Sequence, residues 1–226
     1  QGGQGTGKTT LVHFLKAHLQ ATGYKVKSFS IDDFYTSSFH RQRLANTLID
    51  NPFYQIRRGM PGTHRVKVLN NVLKKAKQGK SFIIPIFDKS LNRAWGDLSK
   101  KKIKAKGKQD FILFEGWCLG MPYLSSEEFI KFCKKKRIAL KKIDPELNEH
   151  KIVLKEVKSY QKLWKYLNYL VMLKPDSIKS HHEWRKQQEV QLRRKTKRGM
   201  TEEEINHILC NVHIKRKKDY CCNYKS

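Results

Sequence analysis

The chain has 226 residues, which is enough for one α/β domain with a sizeable core. No run of about 18 apolar residues occurs, which excludes a membrane-spanning helix, and no signal peptide is visible. The five scattered cysteines form no CxxC pair and fit a reducing, cytoplasmic compartment better than a disulfide scaffold.

The formal net charge of +28 leaves two interpretations open. A polyanionic partner such as nucleic acid, an anionic membrane or a phosphorylated substrate would make use of it. The alternative is a lysine-rich surface without a specific partner. The second is favoured because the lysines are spread through the chain and no interleaved aromatic pattern of an RNA-binding sheet accompanies them.

Short apolar runs alternate with longer helical patterns, which predicts an α/β fold with a mainly parallel sheet. The predicted strands are residues 25–31, 81–87, 110–114 and 167–173. The predicted helices are residues 7–21, 64–77, 127–138, 181–197 and 202–212. The polar, basic stretch 99–108 is predicted to be an exposed loop. The domain is expected to span residues 1–214, followed by an irregular basic tail at 215–226.

Residues 2–9 read GGQGTGKT and match the pattern G-x-x-x-x-G-K-[ST]. Glycines let the backbone approach phosphate oxygens without a Cβ in the way, and the following helix directs its positive end at the same anion. Lys8 is expected to bridge the β- and γ-phosphates of a nucleotide, and the Thr9 hydroxyl to bind Mg²⁺. The predicted nucleotide-binding residues are Gly2, Gly3, Gln4, Gly5, Thr6, Gly7, Lys8, Thr9 and Thr10. The alternative is a chance glycine-rich turn, which the amphipathic helix after it disfavours.

A loop of this kind normally follows a central hydrophobic strand. The sequence begins at Gln1, directly before the loop, so the first strand of the sheet is expected to be missing from this chain.

Acidic residues follow two of the predicted strands, at the edge of a parallel sheet where ligands bind. Asp32 and Asp33 come directly after residues 25–31 and could accept the proton of an incoming hydroxyl. They could equally cap the next helix or form a turn, and the residues alone leave both open. Glu115 follows residues 110–114, where an acid can reach the Mg²⁺ shell beside a phosphate-binding loop.

Seven segments in order along the chain resemble the glycerate kinase-like family of P-loop kinases, which includes D-glycerate 3-kinase. They read GGQGTGKT, SIDDFY, RRGMPGTH, IFDKS, FEGW, EWRKQQE and RGMTEEE. The resemblance implies a three-layer P-loop α/β sandwich that transfers the γ-phosphate of Mg-ATP to a hydroxyl of a small metabolite, D-glycerate being the best candidate. Two alternatives stay open: an ATP-binding relative with little kinase activity, and an ATPase stimulated by nucleic acid.

The resemblance also implies roles for individual residues. The expected catalytic residues are Asp32, Lys8, Glu115 and Arg185, with Arg185 in a lid helix around 181–198. The expected substrate-binding residues are Asp33, Tyr35, Arg58, His64 and Lys89, and the expected Mg²⁺ ligands are Thr9 and Glu115. The chain departs from the family pattern at Arg65, where relatives usually carry an aspartate, and at Leu98, where they carry an arginine.

Overall fold

The computed structural model describes residues 1–92 and 95–174, with six isolated positions between 177 and 190. The helices are α1 (Lys8–Ala21), α2 (Ser38–Thr47), α3 (Val66–Lys77), α4 (Ser126–Lys135) and α5 (Glu149–Trp164). The strands are β1 (Val26–Ser30), β2 (Phe82–Asp88), β3 (Asp97–Ala105) and β4 (Phe111–Glu115). Two short 3₁₀ turns lie at Ile31–Phe34 and Leu140–Lys142.

Strands β1 and β4 form a parallel pair, as expected for an α/β fold. Val26 lies opposite Phe111, and Ser30 lies opposite Glu115, so both strands end at the same edge of the sheet. Residues that follow Ser30 and Glu115 are therefore brought together, although they are far apart in the sequence. Three of the four predicted strands are confirmed as β1, β2 and β4.

Strands β2 and β3 form an antiparallel hairpin, in which Phe82 lies opposite Ala105 and Asp88 opposite Asp97. The prediction that residues 99–108 form a loop was wrong, because most of them belong to β3. Residues 100–104 are all exposed and mainly lysine, so the sequence shows no apolar alternation there. Lysines of this kind are typical of a solvent-exposed edge strand.

The predicted strand at 167–173 does not form. Only Leu173 makes an isolated parallel bridge, with Gly2. The apolar run that motivated the prediction is exposed at Val171 and Met172, so within the described chain it does not behave as a buried strand.

The main core lies between β1, α3, β2 and α5. Helix α3 buries Val66, Leu69, Val72 and Leu73 on one face, at the three- and four-residue spacing of an amphipathic helix. A second core cluster packs Phe53 and Tyr54 against residues of and near α4.

A buried side-chain network joins α4 to α5. The Asp144 and His150 side chains are each 1% exposed, and Asp144 Oδ2 lies 2.6 Å from His150 Nδ1. His150 Nε2 lies 2.7 Å from the Ser126 hydroxyl at the start of α4. Asp144 also accepts the backbone N–H groups of residues 148–150, so it satisfies the otherwise unpaired donors at the start of α5.

The predicted helices at 7–21, 64–77 and 127–138 are confirmed as α1, α3 and α4. Helices α2 and α5 were not predicted. The predicted helices at 181–197 and 202–212 lie outside the described residues, apart from isolated positions up to 190. None of the described helices combines the length and apolar character that a membrane crossing needs.

Candidate active site

The predicted phosphate-binding loop leads directly into α1, which begins at Lys8. The first backbone N–H groups of a helix have no acceptor inside the helix and carry its positive end. The Lys8 ammonium donates to the Gly3 carbonyl at 2.7 Å, and the Thr6 hydroxyl donates to the same carbonyl at 2.8 Å. These bonds hold the loop in a closed turn and keep the Lys8 ammonium within it.

Two glycines in this loop have geometric reasons for their identity. Gly7 precedes α1 with φ of 81°, in the left-handed region that favours glycine. A Cβ on Gly2 would lie 2.6 Å from the Thr6 Oγ1 atom and 3.0 Å from the Leu173 carbonyl oxygen, so a side chain does not fit there. Both glycines are therefore required by the fold of the loop itself, and the approach of its backbone to phosphate oxygens stays a prediction.

The loop and β4 meet at Thr9 and Glu115. The Thr9 hydroxyl donates to Glu115 Oε1 at 3.4 Å, across 106 positions of sequence. A hydroxyl and a carboxylate beside a phosphate site form the donor set that Mg²⁺ uses with nucleotides, since this ion takes oxygen ligands and keeps part of its water shell. Among the described residues no cluster of three or more His, Cys, Asp and Glu could hold a metal.

Asp32 lies just beyond the end of β1, in the Ile31–Phe34 turn. Its Oδ2 atom lies 2.7 Å from the Lys89 ammonium, and its side chain is 26% exposed. Burial alone would raise the pKa of Asp32, but the charge and hydrogen bond of Lys89 outweigh burial, so this pKa lies below its usual range. Asp32 is therefore an ionised carboxylate at neutral pH.

The neighbouring Asp33 has a different environment. Its carboxylate accepts the backbone N–H of Ser30 at 2.9 Å and that of Phe87 at 3.4 Å. Burial raises the pKa of Asp33, against the effect of these two bonds. The bond from Ser30 is one half of a capping box, in which the Ser30 hydroxyl in turn accepts the backbone N–H of Asp32. The capping role left open for the acidic pair therefore belongs to Asp33.

Tyr35 and His64 stack on each other beside Asp32. Their ring centroids are 4.3 Å apart at an interplanar angle of 22°, and both residues are at most 5% exposed. The Tyr35 hydroxyl hydrogen-bonds to Asp32. His64 Nδ1 lies 2.7 Å from the hydroxyl of Tyr160 on α5. Burial lowers the pKa of His64 to about 4, so the ring is neutral.

Arg41 joins the loops on this side of the site, and it is only 2% exposed. Its guanidinium donates to the backbone carbonyls of Thr36, Arg57, Trp95 and Gly96. It also lies 4.9 Å from the centroid of the Phe87 ring and 5.7 Å from that of Tyr35. Arg58 donates to the Trp95 carbonyl at 3.4 Å, so two guanidinium groups meet at one loop.

Arg65, the departure from the family pattern, begins the α3 helix. Its backbone N–H donates to the Phe34 carbonyl. Its Nε and Nη2 atoms are buried and have no hydrogen-bond partner among the described residues. Burial lowers the pKa of Arg65.

Several predicted site residues thus come together. Lys8, Thr9 and Glu115 lie at the loop, and Asp32, Tyr35, His64 and Lys89 form a second contiguous group. Arg185 lies outside the described residues, so its placement stays a prediction. The sequence analysis missed Arg41 and the role of Tyr160. Helix α5 has an apolar spacing that could have revealed the helix around Tyr160. No local pattern marks Arg41, because its partners come from three separate segments of the chain.

The fold and these loops define a P-loop nucleotide-binding protein of the α/β class. The chain is 33% identical over 217 residues to an uncharacterized kinase of Schizosaccharomyces pombe, mug58, covering 92% of this chain and 76% of that protein. It is 30% identical to the chloroplastic D-glycerate 3-kinase of Arabidopsis thaliana, covering 91% of this chain and 43% of the plant protein. A solved D-glycerate 3-kinase from Cryptococcus neoformans superposes with a TM-score of 0.81 at 28% identity, over 96% of this chain and 76% of that one. No family model matches the chain.

The chain belongs to the glycerate kinase-like family of P-loop kinases. It is a small-molecule kinase. A relative in Saccharomyces cerevisiae, 28% identical over 91% of this chain and 71% of that protein, is named a probable ATP-dependent kinase.

Proposed function

We propose that this protein transfers the γ-phosphate of Mg-ATP to a hydroxyl group of D-glycerate or a closely similar hydroxy acid. The observation that carries the proposal is the common edge of β1 and β4, where Ser30 lies opposite Glu115. Because of this register, Asp32, which follows β1, and Glu115, which ends β4 and bonds to Thr9, lie at the same edge of the sheet. A base for the acceptor and ligands for a metal-bound nucleotide belong at such an edge.

The chain's own residues supply most of what the reaction needs. The amides of residues 2–9 and the Lys8 ammonium neutralise the phosphates of the nucleotide and hold its leaving diphosphate. Asp32, ionised at neutral pH, orients the acceptor hydroxyl and takes its proton as the phosphate transfers. Mg²⁺, held by Thr9 and Glu115, would neutralise charge on the phosphate oxygens.

The acceptor is proposed on two grounds. Named D-glycerate 3-kinases are among both the sequence relatives and the solved structures. The site also presents the cationic side chain of Lys89 at the proposed base, and that of Arg58 acts electrostatically on Tyr35, which suits an acceptor that carries a carboxylate. Both residues are proposed as substrate-binding groups, together with Tyr35 and His64.

The test is acceptor-dependent ADP formation with a panel of hydroxylated metabolites, including D-glycerate, L-glycerate, glycerol, uridine, ribulose 5-phosphate and pantothenate. We expect D-glycerate to give the highest kcat/KM, and glycerol, which lacks the carboxylate, to be poorer by about 100-fold or more. Tight binding of Mg-ATP without acceptor-dependent ADP for any member would contradict the proposal and favour an ATP-binding relative with little activity.

A further inference from the structure

His64 lies in a closed environment at the centre of the acceptor side. Its ring stacks on Tyr35, and its Nδ1 atom lies 2.7 Å from the Tyr160 hydroxyl oxygen. That same oxygen lies 3.2 Å from the backbone nitrogen of Gly62, which donates to it. These two contacts are the hydrogen bonds of the Tyr160 hydroxyl within the described chain.

The hydrogens in this arrangement determine the tautomer of His64. The Gly62 N–H occupies a lone pair of the Tyr160 oxygen, and the hydroxyl proton then needs an acceptor. His64 Nδ1 is the acceptor within reach, and it can accept only if it carries no proton. In a neutral imidazole the proton must then reside on Nε2. The reverse tautomer would leave the buried Tyr160 proton without an acceptor.

The resulting Nε2–H group is a donor without a bonding partner. His64 is 5% exposed, and its Nε2 atom is buried with no hydrogen-bond partner among the described residues. Buried donors in proteins are nearly always paired with protein or ordered water, so this one calls for a partner that the described residues do not supply. The charge of Asp32 acts on the His64 ring, which stacks on Tyr35 beside that carboxylate.

We propose that His64 binds the acceptor molecule as a neutral hydrogen-bond donor, through Nε2–H to one of its oxygens, and that Tyr160 is the positioning residue that fixes this tautomer. The inference rests on the proposed function for the identity of the acceptor. It adds that the donor to the acceptor oxygen is a neutral imidazole. The hydrogen bond from His64 should therefore not change in strength between pH 6 and 8.

The tautomer can be measured without any substrate. We would label the full-length protein with ¹⁵N-histidine and record long-range ¹H–¹⁵N correlations between pH 5 and 8, identifying the His64 signals by their absence in His64→Gln. We expect the neutral Nε2–H form throughout in the wild type. In Tyr160→Phe we expect a mixture of tautomers, and in the exposed control Tyr123→Phe no change. A cationic ring or an Nδ1–H form in the wild type, or an unchanged tautomer in Tyr160→Phe, would overturn the proposal.

Two substitutions at His64 distinguish the roles of Nε2 and Nδ1 in a kinetic assay. A glutamine at position 64 puts its amide nitrogen near the place of Nε2, whereas an asparagine puts its amide near Nδ1. We expect the acceptor KM to rise by less than about threefold in His64→Gln and by about tenfold or more in His64→Asn, with the KM for ATP unchanged in both. Equal acceptor KM values for the two variants would contradict a contact through Nε2.

The two experiments also separate this inference from the proposed function. If D-glycerate is not phosphorylated but another acceptor from the panel is, the kinetic comparison is made with that acceptor. If no acceptor reacts, the function proposed above fails. A His64 Nε2–H signal that D-glycerate shifts in the presence of a non-hydrolysable ATP analogue would still support the contact, and an unshifted signal would refute it.

Discussion

Asp32 and Asp33 are adjacent in the sequence, but the structure gives them different environments. Asp33 bonds to the backbone amides of Ser30 and Phe87, which makes it part of the turn. Asp32 faces the Lys89 ammonium instead. An acid that stays ionised at neutral pH is in the form that can orient a hydroxyl and accept its proton.

The Lys89–Asp32 pair makes a prediction about pH dependence. In Lys89→Gln the burial of Asp32 is no longer offset by a neighbouring cation, so the pKa of Asp32 rises. A base is active only when ionised, so the acidic limb of the kcat/KM profile should move to higher pH. The exposed Lys101→Gln is the matched control and should leave the limb in place. An acidic limb that Lys89→Gln does not move would show that Asp32 is not the titrating base.

The sequence pointed only to those candidate site residues that belong to local motifs. Residues 2–9, Glu115 and Asp32 could be named because each stands at the start of a helix or the end of a strand. The different environments of Asp32 and Asp33 could not be predicted. They depend on Lys89 and Phe87, which lie more than 50 residues away in the sequence. The same holds for Tyr160, whose contact with His64 spans 96 positions.

At the scale of elements, the sequence analysis succeeded where apolar residues leave a pattern. Helix α3 was predicted from apolar residues at helical spacing, four of which it buries. Strand β4 was predicted from its apolar run, although none of its residues is fully buried. Strand β3 is a lysine-rich edge strand whose backbone pairs with β2, so its residues 100–104 show only exposed positions. Residues 167–173 have the opposite character, since their apolar composition predicts a strand while Val171 and Met172 are exposed.

Helices α4 and α5 are joined by the buried contacts among Ser126, Asp144 and His150. In Asp144→Ala three backbone N–H groups and the His150 ring lose their acceptor. We expect the free energy of unfolding at pH 7 to fall by about 3 kcal/mol, measured by denaturant titration. The exposed Glu146→Ala is the control and should change it by less than about 0.5 kcal/mol.

This effect should depend on pH with a defined sign. Burial would raise the pKa of Asp144, but its bonds to His150 and to the N–H groups at the start of α5 dominate and lower it. A lowered folded-state pKa gives stability that is present above the unfolded value, near 3.9, and lost as pH falls through the folded value. The difference between wild type and Asp144→Ala should therefore shrink at pH 3. An equal difference at pH 3 and pH 7 would contradict the ionised network.

At the scale of the whole molecule, the net charge of +28 invites a nucleic-acid function. The chain is a small-molecule kinase whose proposed site lies at the sheet edge, and many of its lysines, such as those of β3, lie on exposed faces. Such a surface binds polyanions through counter-ion release without using the active site.

This separation makes a prediction about RNA and DNA. We expect duplex RNA or DNA to bind at 50 mM salt, with an affinity that falls steeply by 200 mM, and to change ATP hydrolysis by less than about twofold at either salt concentration. Filter binding and an ADP-release assay on the same samples measure the two quantities. Strong stimulation of hydrolysis that persists at 200 mM salt would favour a nucleic-acid-stimulated ATPase instead.

The most direct test of the account compares the wild type with Asp32→Asn in the presence of Mg-ATP and D-glycerate. We expect the wild type to form phosphoglycerate, detected by ³¹P NMR as a phosphomonoester signal that requires the acceptor. We expect Asp32→Asn to bind Mg-ATP as tightly as the wild type and to lose kcat by about 100-fold or more, because only the base for the acceptor hydroxyl is removed. Equal turnover in the two proteins, or release of inorganic phosphate alone by the wild type, would contradict the account.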